Sequence, residues 1–283
     1  SYRLGTFSVP GPGNSQHRLV CQYFCLPVEQ QLGTAFLLHG YFDHVGLFGH
    51  LIRHCLELGL SVVIFDQPGH GLSSGTPASI DSFGRYVSAL GACLQLADSQ
   101  EVHKPWYVLG QSTGGAVIID ALQQQTVPLL YGAERFVLLA PLLRPRRWPQ
   151  TRLLFSLLRP LLRSTPRSFA DNSHDREFLD FLENHDALQS RVIPMDWIQA
   201  MVDYQRRFLA APIGSECLHI IQGTDDGTVD WQYNLREIVA KFPESRTYMV
   251  NEARHHLVNE SAHYREQIFS LVSETIKTAP DSG

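Results

Sequence analysis

The segment VLGQSTGGAVI, residues 108–118, isolates Ser112 between Gly110 and the pair Gly114 and Gly115, with apolar runs before and after it. A serine hydroxyl is a weak nucleophile until a base takes its proton, and the base works best when a carboxylate fixes its tautomer. Both partner types occur downstream as doublets: Asp225 and Asp226 in IIQGTDDGTVD, His255 and His256 in YMVNEARHHLVNE. Serine, then acid, then histidine is one of the chain orders in which acyl-transfer triads occur. The residues alone leave open which aspartate and which histidine would serve.

Other chemistries find little support. His50 and His54 stand four apart on a helical stretch, but there is no HExxH sequence and no acidic ligand beside them, so no metal is expected. Cys21, Cys25, Cys55, Cys93 and Cys217 are odd in number and scattered without a CxxC pair, which favours free thiols over a zinc site or a disulfide framework. Cys21 and Cys25 would sit roughly 13 Å apart along a strand, beyond disulfide reach. No cofactor is expected.

The elements that must position the serine follow from the apolar runs around it. AFLLHG (35–40), SVVIFDQPGHG (61–71), WYVLGQS (106–112), RFVLLAP (135–141), CLHIIQG (217–223) and TYMVNEA (247–253) read as strands. Helical spacing lies between them in LFGHLIRHCLEL (47–58), IDSFGRYVSALGACLQLA (80–97) and GAVIIDALQQQ (115–125). Alternation of the two types, with strands apolar throughout rather than every second residue, predicts an α/β fold on a mostly parallel sheet covered on both faces. YRLGTFSV and HRLVCQYFCL before them read as an antiparallel hairpin.

Gly110 to Gly114 therefore join a strand to a helix. A turn that sharp strains its central residue, and side chains two positions to either side would collide there, so the stretch reads as a nucleophile elbow. Ser112 is thereby lifted to the N-terminus of a helix, whose free N–H groups favour a developing oxyanion. In open parallel sheets the site lies at the carboxyl ends of the strands, which brings the two downstream doublets to the same edge.

The alternation breaks from about residue 142 to 212, where Pro145, Pro149, Pro160 and Pro166 precede the helical patterns REFLDFLENHDALQ and MDWIQAMVDYQRRFL without a convincing strand. This predicts a core over 1–142 and 213–283 with a helical cap inserted at 143–212. A formal charge of −5 supplies no basic field for nucleic acid, which is excluded as a partner. No apolar run reaches the 18 or so residues of a membrane span. The expected location is cytoplasmic or peripheral to a membrane. Because the chain begins at Ser1, a signal or anchor ahead of it stays open.

With LLHGYFDH, VVIFDQPGHGLSSG, LGQSTGG, IIQGTDDGTVD and NEARHHLVNE in this order, the chain resembles the α/β-hydrolase superfamily, and within it the monoacylglycerol lipase and lysophospholipase branch. In that branch the acid stands three residues after the glycine ending its strand, so the resemblance implies Asp226, after Gly223. The base precedes a leucine by two and a glutamate by five, which implies His255, with Leu257 and Glu260 in place. It further implies an oxyanion hole made by the backbone N–H groups of Tyr41, behind His39 and Gly40, and of Thr113. His39 would brace the loop, and Asp66, Gly69, His70 and Gly71 would be structural. GYFDHVGLFG departs from the small residues usual behind the HG pair and puts an aromatic at the hole.

The implied activity is hydrolysis of a lipid-like acyl ester, lysophospholipid or monoacylglycerol, through an acyl-enzyme. The alternatives are an acyltransferase using the same triad and a ligand receptor without turnover. RPRRWPQTRLLFSLLRPLLRSTPR, residues 144–167, carries seven arginines and no acid among Leu, Phe and Trp. It reads either as a basic, apolar cap edge for an anionic membrane or as a packed helix with a solvated face.

Overall fold

A computed structural model describes residues 1–278. Its strands are β1 (Tyr2–Pro10), β2 (Gln16–Phe24), β3 (Gly33–Leu38), β4 (Leu60–Phe65), β5 (Trp106–Gln111), β6 (Ala133–Leu139), β7 (Ser164–Pro166), β8 (Val192–Pro194), β9 (Leu218–Gly223) and β10 (Arg246–Val250). Its helices are α1 (Gly49–Glu57), α2 (Phe83–Ser99), α3 (Thr113–Gln124), α4 (Trp148–Leu158), α5 (Arg176–Asp180), α6 (Met195–Ala210), α7 (Trp231–Lys241) and α8 (Ala262–Lys277). Eight strands form one sheet in the order β1-β2-β4-β3-β5-β6-β9-β10. The β1–β2 and β2–β4 pairings are antiparallel and the others parallel, so an N-terminal hairpin extends a parallel α/β sheet.

Every residue of β3, β4, β5 and β9 is buried, as strands covered on both faces require. The period-2 alternation of side chains divides them between two cores. Phe36, Leu38, Val63, Val108, Leu138 and Ile220 pack under α2, α3 and α6, while Leu37, Ile64, Leu109, Leu139 and Ile221 pack under α1 and α8. Helix starts follow their capping residues: the Ser82 side chain accepts from Gly84 N–H at α2, and Asp230 accepts from Tyr233 N–H at α7.

Strand order decides where a site can form. From β3 the chain moves outward to β4 and then returns to the other side of β3 with β5, so the direction of winding reverses between β3 and β5. Such a switch point leaves a crevice at the carboxyl ends of the two strands. Gly40 follows β3 and Ser112 follows β5.

Between β6 and β9 lie α4, β7, α5, β8 and α6. This stretch was expected to be helical, yet it also holds a two-stranded antiparallel ribbon in which Ser164, Thr165 and Pro166 pair with Pro194, Ile193 and Val192. Three-residue strands that end in proline give no alternation long enough to read from sequence. The helical pattern at 176–189 is also shorter than expected, because α5 passes into a single π turn at Phe181–His185. The start of the stretch is tied to the loop after β9 by Arg146 N–H to Thr228 O (2.9 Å) and by the Arg144–Asp230 ion pair (2.5 Å). Cys21, Cys25, Cys55 and Cys93 are free thiols. Among the described residues no helix is long and apolar enough to cross a membrane.

Candidate active site

Ser112 sits between β5 and α3 with φ 53° and ψ −109°, a left-handed backbone that non-glycine residues rarely hold. Its N–H donates to Leu139 O (2.8 Å) and its carbonyl accepts from Leu142 N–H (3.1 Å), so β6 and the loop behind it maintain the strain. The flanking glycines answer to backbone rather than to the serine itself. A Cβ on Gly110 would stand 2.5 Å from the Gly114 carbonyl carbon, and one on Gly114 would stand 2.2 Å from Leu38 O of β3. Close approach of β5, α3 and β3 thus fixes the hydroxyl above the sheet.

The His255 Nε2 atom lies 3.0 Å from Ser112 Oγ and its Nδ1 lies 2.7 Å from Asp226 Oδ2. All three side chains are buried. Asp226 also accepts from Thr228 N–H (2.9 Å), Val229 N–H (3.1 Å) and Gln222 Nε2 (3.0 Å). Burial alone would raise its carboxyl, but the charge and hydrogen bond of His255, with those N–H donors, hold it below the ordinary aspartate value. An ionised acceptor there selects the His255 tautomer whose Nε2 can receive the serine proton. Gln111 Nε2 donates to His255 O (2.9 Å), fastening the histidine loop to β5.

The other member of each doublet is occupied elsewhere. Asp225 is exposed and lies 3.5 Å from Arg254, outside the line. His256 points away from the serine and places Nε2 3.0 Å from Asp43 Oδ1, in a second buried His–Asp pair. Burial would raise Asp43, yet His256, through its charge and its hydrogen bond, and the Arg167 charge carry its carboxyl well below the usual range. Its other oxygen accepts from Gly40 N–H (3.2 Å). Asp43 therefore ties the loop after β3 to the histidine loop, a role unassigned by sequence reading although Asp43 lies within the quoted HGYFD stretch.

That loop carries Tyr41. A Cβ on Gly40 would come 3.5 Å from Ser112 Cβ, so the loop lies against the elbow. Neither the Tyr41 N–H nor the Thr113 N–H has a hydrogen-bond partner among the described residues. The Tyr41 ring stacks on Trp197 of α6 (3.8 Å, 13°) and its hydroxyl donates to Ala78 O (2.7 Å). His39 joins β3 to the loop after β4, with Nε2 accepting from Gln67 N–H (2.9 Å) and its carbonyl accepting from Gln67 Nε2 (2.6 Å). Asp66 accepts from Val45 N–H (2.7 Å) and Leu72 N–H (2.8 Å), so it too serves structure. His54 bonds Ser273 Oγ (2.9 Å) and stacks on Phe269, and among the described residues no group of His, Cys, Asp or Glu gathers as metal ligands would.

A cavity of about 230 Å³ opens over Ser112, His255 and the Tyr41 loop, walled by Phe42, Leu142, Leu182, Ile193, Trp197 and Val229. Ile193 and Trp197 come from β8 and α6, so the stretch between β6 and β9 roofs the site. One cation, Arg167, lines it as well. The seven arginines of 144–167 do not act alike. Arg144 is held by Asp230 and stacks on Tyr233 (3.3 Å), which removes it from the expected basic edge, whereas Arg146, Arg147, Arg152, Arg159 and Arg163 are exposed.

Residues 29–262 match the family described as "Serine aminopeptidase, S33". A monoglyceride lipase homolog of Monkeypox virus is 30% identical over 140 residues, covering 50% of this chain and 49% of that protein. The monoglyceride lipase of Homo sapiens is 33% identical over 104 residues, 36% of this chain and 33% of that one. The chain thus aligns with half or less of the length of each. The crystal structure of a soluble variant of the Saccharomyces cerevisiae monoglyceride lipase, in complex with a substrate analog, superposes with a TM-score of 0.79 at 15% identity, covering 97% of this chain and 94% of that one. The chain belongs to the serine aminopeptidase S33 family and has the α/β-hydrolase fold.

Proposed function

We propose that the protein is a serine hydrolase of lipid-like carboxylic esters, with Ser112 as nucleophile, His255 as general base and acid, and Asp226 as the orienting carboxylate. The observation that carries the reading is the buried line Ser112 Oγ, His255 Nε2, His255 Nδ1 and Asp226 Oδ2, with its 3.0 and 2.7 Å spacings, under an apolar cavity. Ser112 Oγ bonds to the ester carbon as His255 Nε2 takes its proton. The Tyr41 and Thr113 N–H groups hold the resulting oxyanion, and each such donor is worth about 10²–10³-fold in rate. The C–O bond then breaks, the alcohol leaves with the proton from His255, and water repeats the sequence to release the acid.

An acyl chain suits walls of Phe42, Leu142, Leu182, Ile193 and Trp197, and the relatives named monoglyceride lipase support a monoacylglycerol or lysophospholipid as substrate class. Residues 143–212 act as the cap of a core formed by 1–142 and 213–283. Its outer edge meets anionic membrane through Leu153, Leu154, Leu157, Leu161 and Leu162, all exposed beside Arg152, Arg159 and Arg163. The test is turnover of p-nitrophenyl esters and monoacylglycerols by the parent and by Ser112→Ala. A loss of at least about 10³-fold is expected, and parent-level rates in the variant would overturn the reading.

A further inference from the structure

Arg167 is the cation of the site, and the mechanism above gives it no task. It follows β7, and its N–H donates to Arg191 O (3.0 Å) in line with the ribbon. The guanidinium lies between two rings, 3.8 Å from the Phe42 centroid and 4.4 Å from that of Phe169. Its Nη1 donates to Gln189 Oε1 (2.5 Å) and Ser190 O (3.3 Å). Gln189 is itself fixed, because its Nε2 donates to Phe42 O (2.8 Å) and Asp186 Oδ2 (3.0 Å).

Neutral groups therefore position this arginine. Among the described residues no carboxylate lies within ion-pair distance of it, and Nε and Nη2 make no hydrogen bond. The nearest acids are engaged elsewhere: Asp43 with His256 and Gly40, and Asp186 with His44 (2.9 Å). Burial lowers the guanidinium to about 10, which leaves it charged at neutral pH. The Nε–Nη2 edge is the fork that accepts two oxygens of one tetrahedral or planar anion. Arg167 also borders a second cavity of about 300 Å³, which shares Ala170, Asn172 and Leu182 with the first and gives a polar group room beyond the ester. Three carboxylates stand across it: Asp171 is met by Arg254 (2.7 Å) and Arg176 (3.0 Å), Asp180 lies 3.3 Å from His185, and Glu183 is exposed to solvent. Asn172 Oδ1, lining both cavities, is buried without a partner and can accept from a hydroxyl.

From this geometry we infer that Arg167 is a specificity residue that grips a phosphate on the alcohol side of the substrate, selecting phosphorylated monoacyl glycerols over neutral ones. The inference rests on the ester-hydrolase reading and names its substrate class. A pre-stacked, unpaired guanidinium offers a phosphate two charge-assisted bonds without first breaking an ion pair. A neutral glycerol gains nothing equivalent from it.

The experiment compares kcat/KM for three substrates with one acyl chain: 1-acylglycerol, 1-acylglycerol 3-phosphate and lysophosphatidylethanolamine. All are held below their micellar concentrations, with p-nitrophenyl butyrate as control. The parent should favour both phosphorylated substrates over the neutral one. In Arg167→Gln the phosphorylated-to-neutral ratio should fall about 10–100-fold, mostly through KM, and Arg167→Lys should recover part of it. A preference confined to the phosphomonoester would assign the site to a terminal phosphate, and a preference for both to any phosphorylated headgroup. No phosphate preference in a parent active on p-nitrophenyl butyrate would overturn this inference alone. So would a ratio unchanged in Arg167→Gln. A parent inert toward every ester would overturn the hydrolase reading, and this one with it.

Discussion

Replacing His256 with leucine should unfold the site from the side that performs no chemistry. Asp43 is buried, its side chain 9% exposed, and its charge is met by His256 Nε2 at 3.0 Å and by Gly40 N–H at 3.2 Å. His256→Leu leaves the carboxylate with the single backbone donor in a closed environment. Taking its side-chain partner away from a buried carboxylate costs about 3–5 kcal/mol, because the charge stays behind uncompensated. At roughly 2–4 °C per kcal/mol for a domain of this size, the melting temperature should fall by about 6–20 °C. Replacing both partners, Asp43→Leu with His256→Leu, removes the stranded charge and should recover most of the loss. The remainder is set by the Gly40 N–H left without an acceptor, about 1–3 kcal/mol. Because Asp43 also holds the Tyr41 loop against the elbow, both variants should lose turnover as well as stability. Calorimetry of parent, single and double variants reads the cycle. A single variant melting within 2 °C of the parent, or a double variant no more stable than the single, would refute the charge argument.

Three further outcomes follow from the same geometry. Gly114→Ala puts a Cβ 2.2 Å from Leu38 O and should cost about 2 kcal/mol or more, or prevent soluble expression. Gly115→Ala, whose nearest neighbour is Pro141 Cβ at 3.1 Å, should stay within about 1 kcal/mol of the parent; equal melting of the two would refute the close-packing account. Burial lowers His39 to about 4 and His70 to about 3, so below about pH 6.5 the unfolded chain binds protons that the folded one does not. Stability should therefore decline as pH falls from about 6.5 toward 4, with a slope of up to two protons, about 2.7 kcal/mol per pH unit. Asp43, Asp226 and Glu260, all held below their ordinary values, contribute stability above about pH 4 that is lost on further acidification. A melting temperature flat between pH 6.5 and 4.5 would contradict the burial of the two histidines. Finally, changing Arg152, Arg159 and Arg163 together to glutamine should weaken sedimentation with anionic vesicles roughly hundredfold, at about 1 kcal/mol per basic residue near the surface. Unaltered binding, or none in the parent, would remove the membrane from the account.

How far the sequence carries depends on whether a signal is local. The elbow was legible because its glycines and serine lie together within Gly110 to Gly115, and the strands around it because their apolar runs are continuous rather than alternating. The doublets were harder. Only the resemblance separated Asp226 from Asp225 and His255 from His256, since adjacent residues of one type carry no local difference. In the fold they differ sharply: Val229 N–H and Gln222 turn Asp226 inward, and Asn172 O, accepting from His256 N–H (2.8 Å), helps turn the second histidine toward Asp43. Arg167 was hidden by its own neighbours, one of seven arginines in a run read either as a basic membrane edge or as the solvated face of a packed helix. What distinguishes it is contact with Phe42 and Gln189, which are far away in sequence. The ribbon of β7 and β8 was missed for the same reason, since its pairing spans the intervening α5.

The central claim is that Ser112 is an activated nucleophile, and covalent capture tests it most directly. The protein is treated with a fluorophosphonate at neutral pH and analysed by intact mass and peptide mapping. One adduct per chain is expected, on Ser112, absent in Ser112→Ala and at least tenfold slower to form in Asp226→Asn, where the imidazole loses the acceptor at 2.7 Å that orients it. No adduct in a folded protein, or an adduct on another residue that persists in Ser112→Ala, would contradict the account.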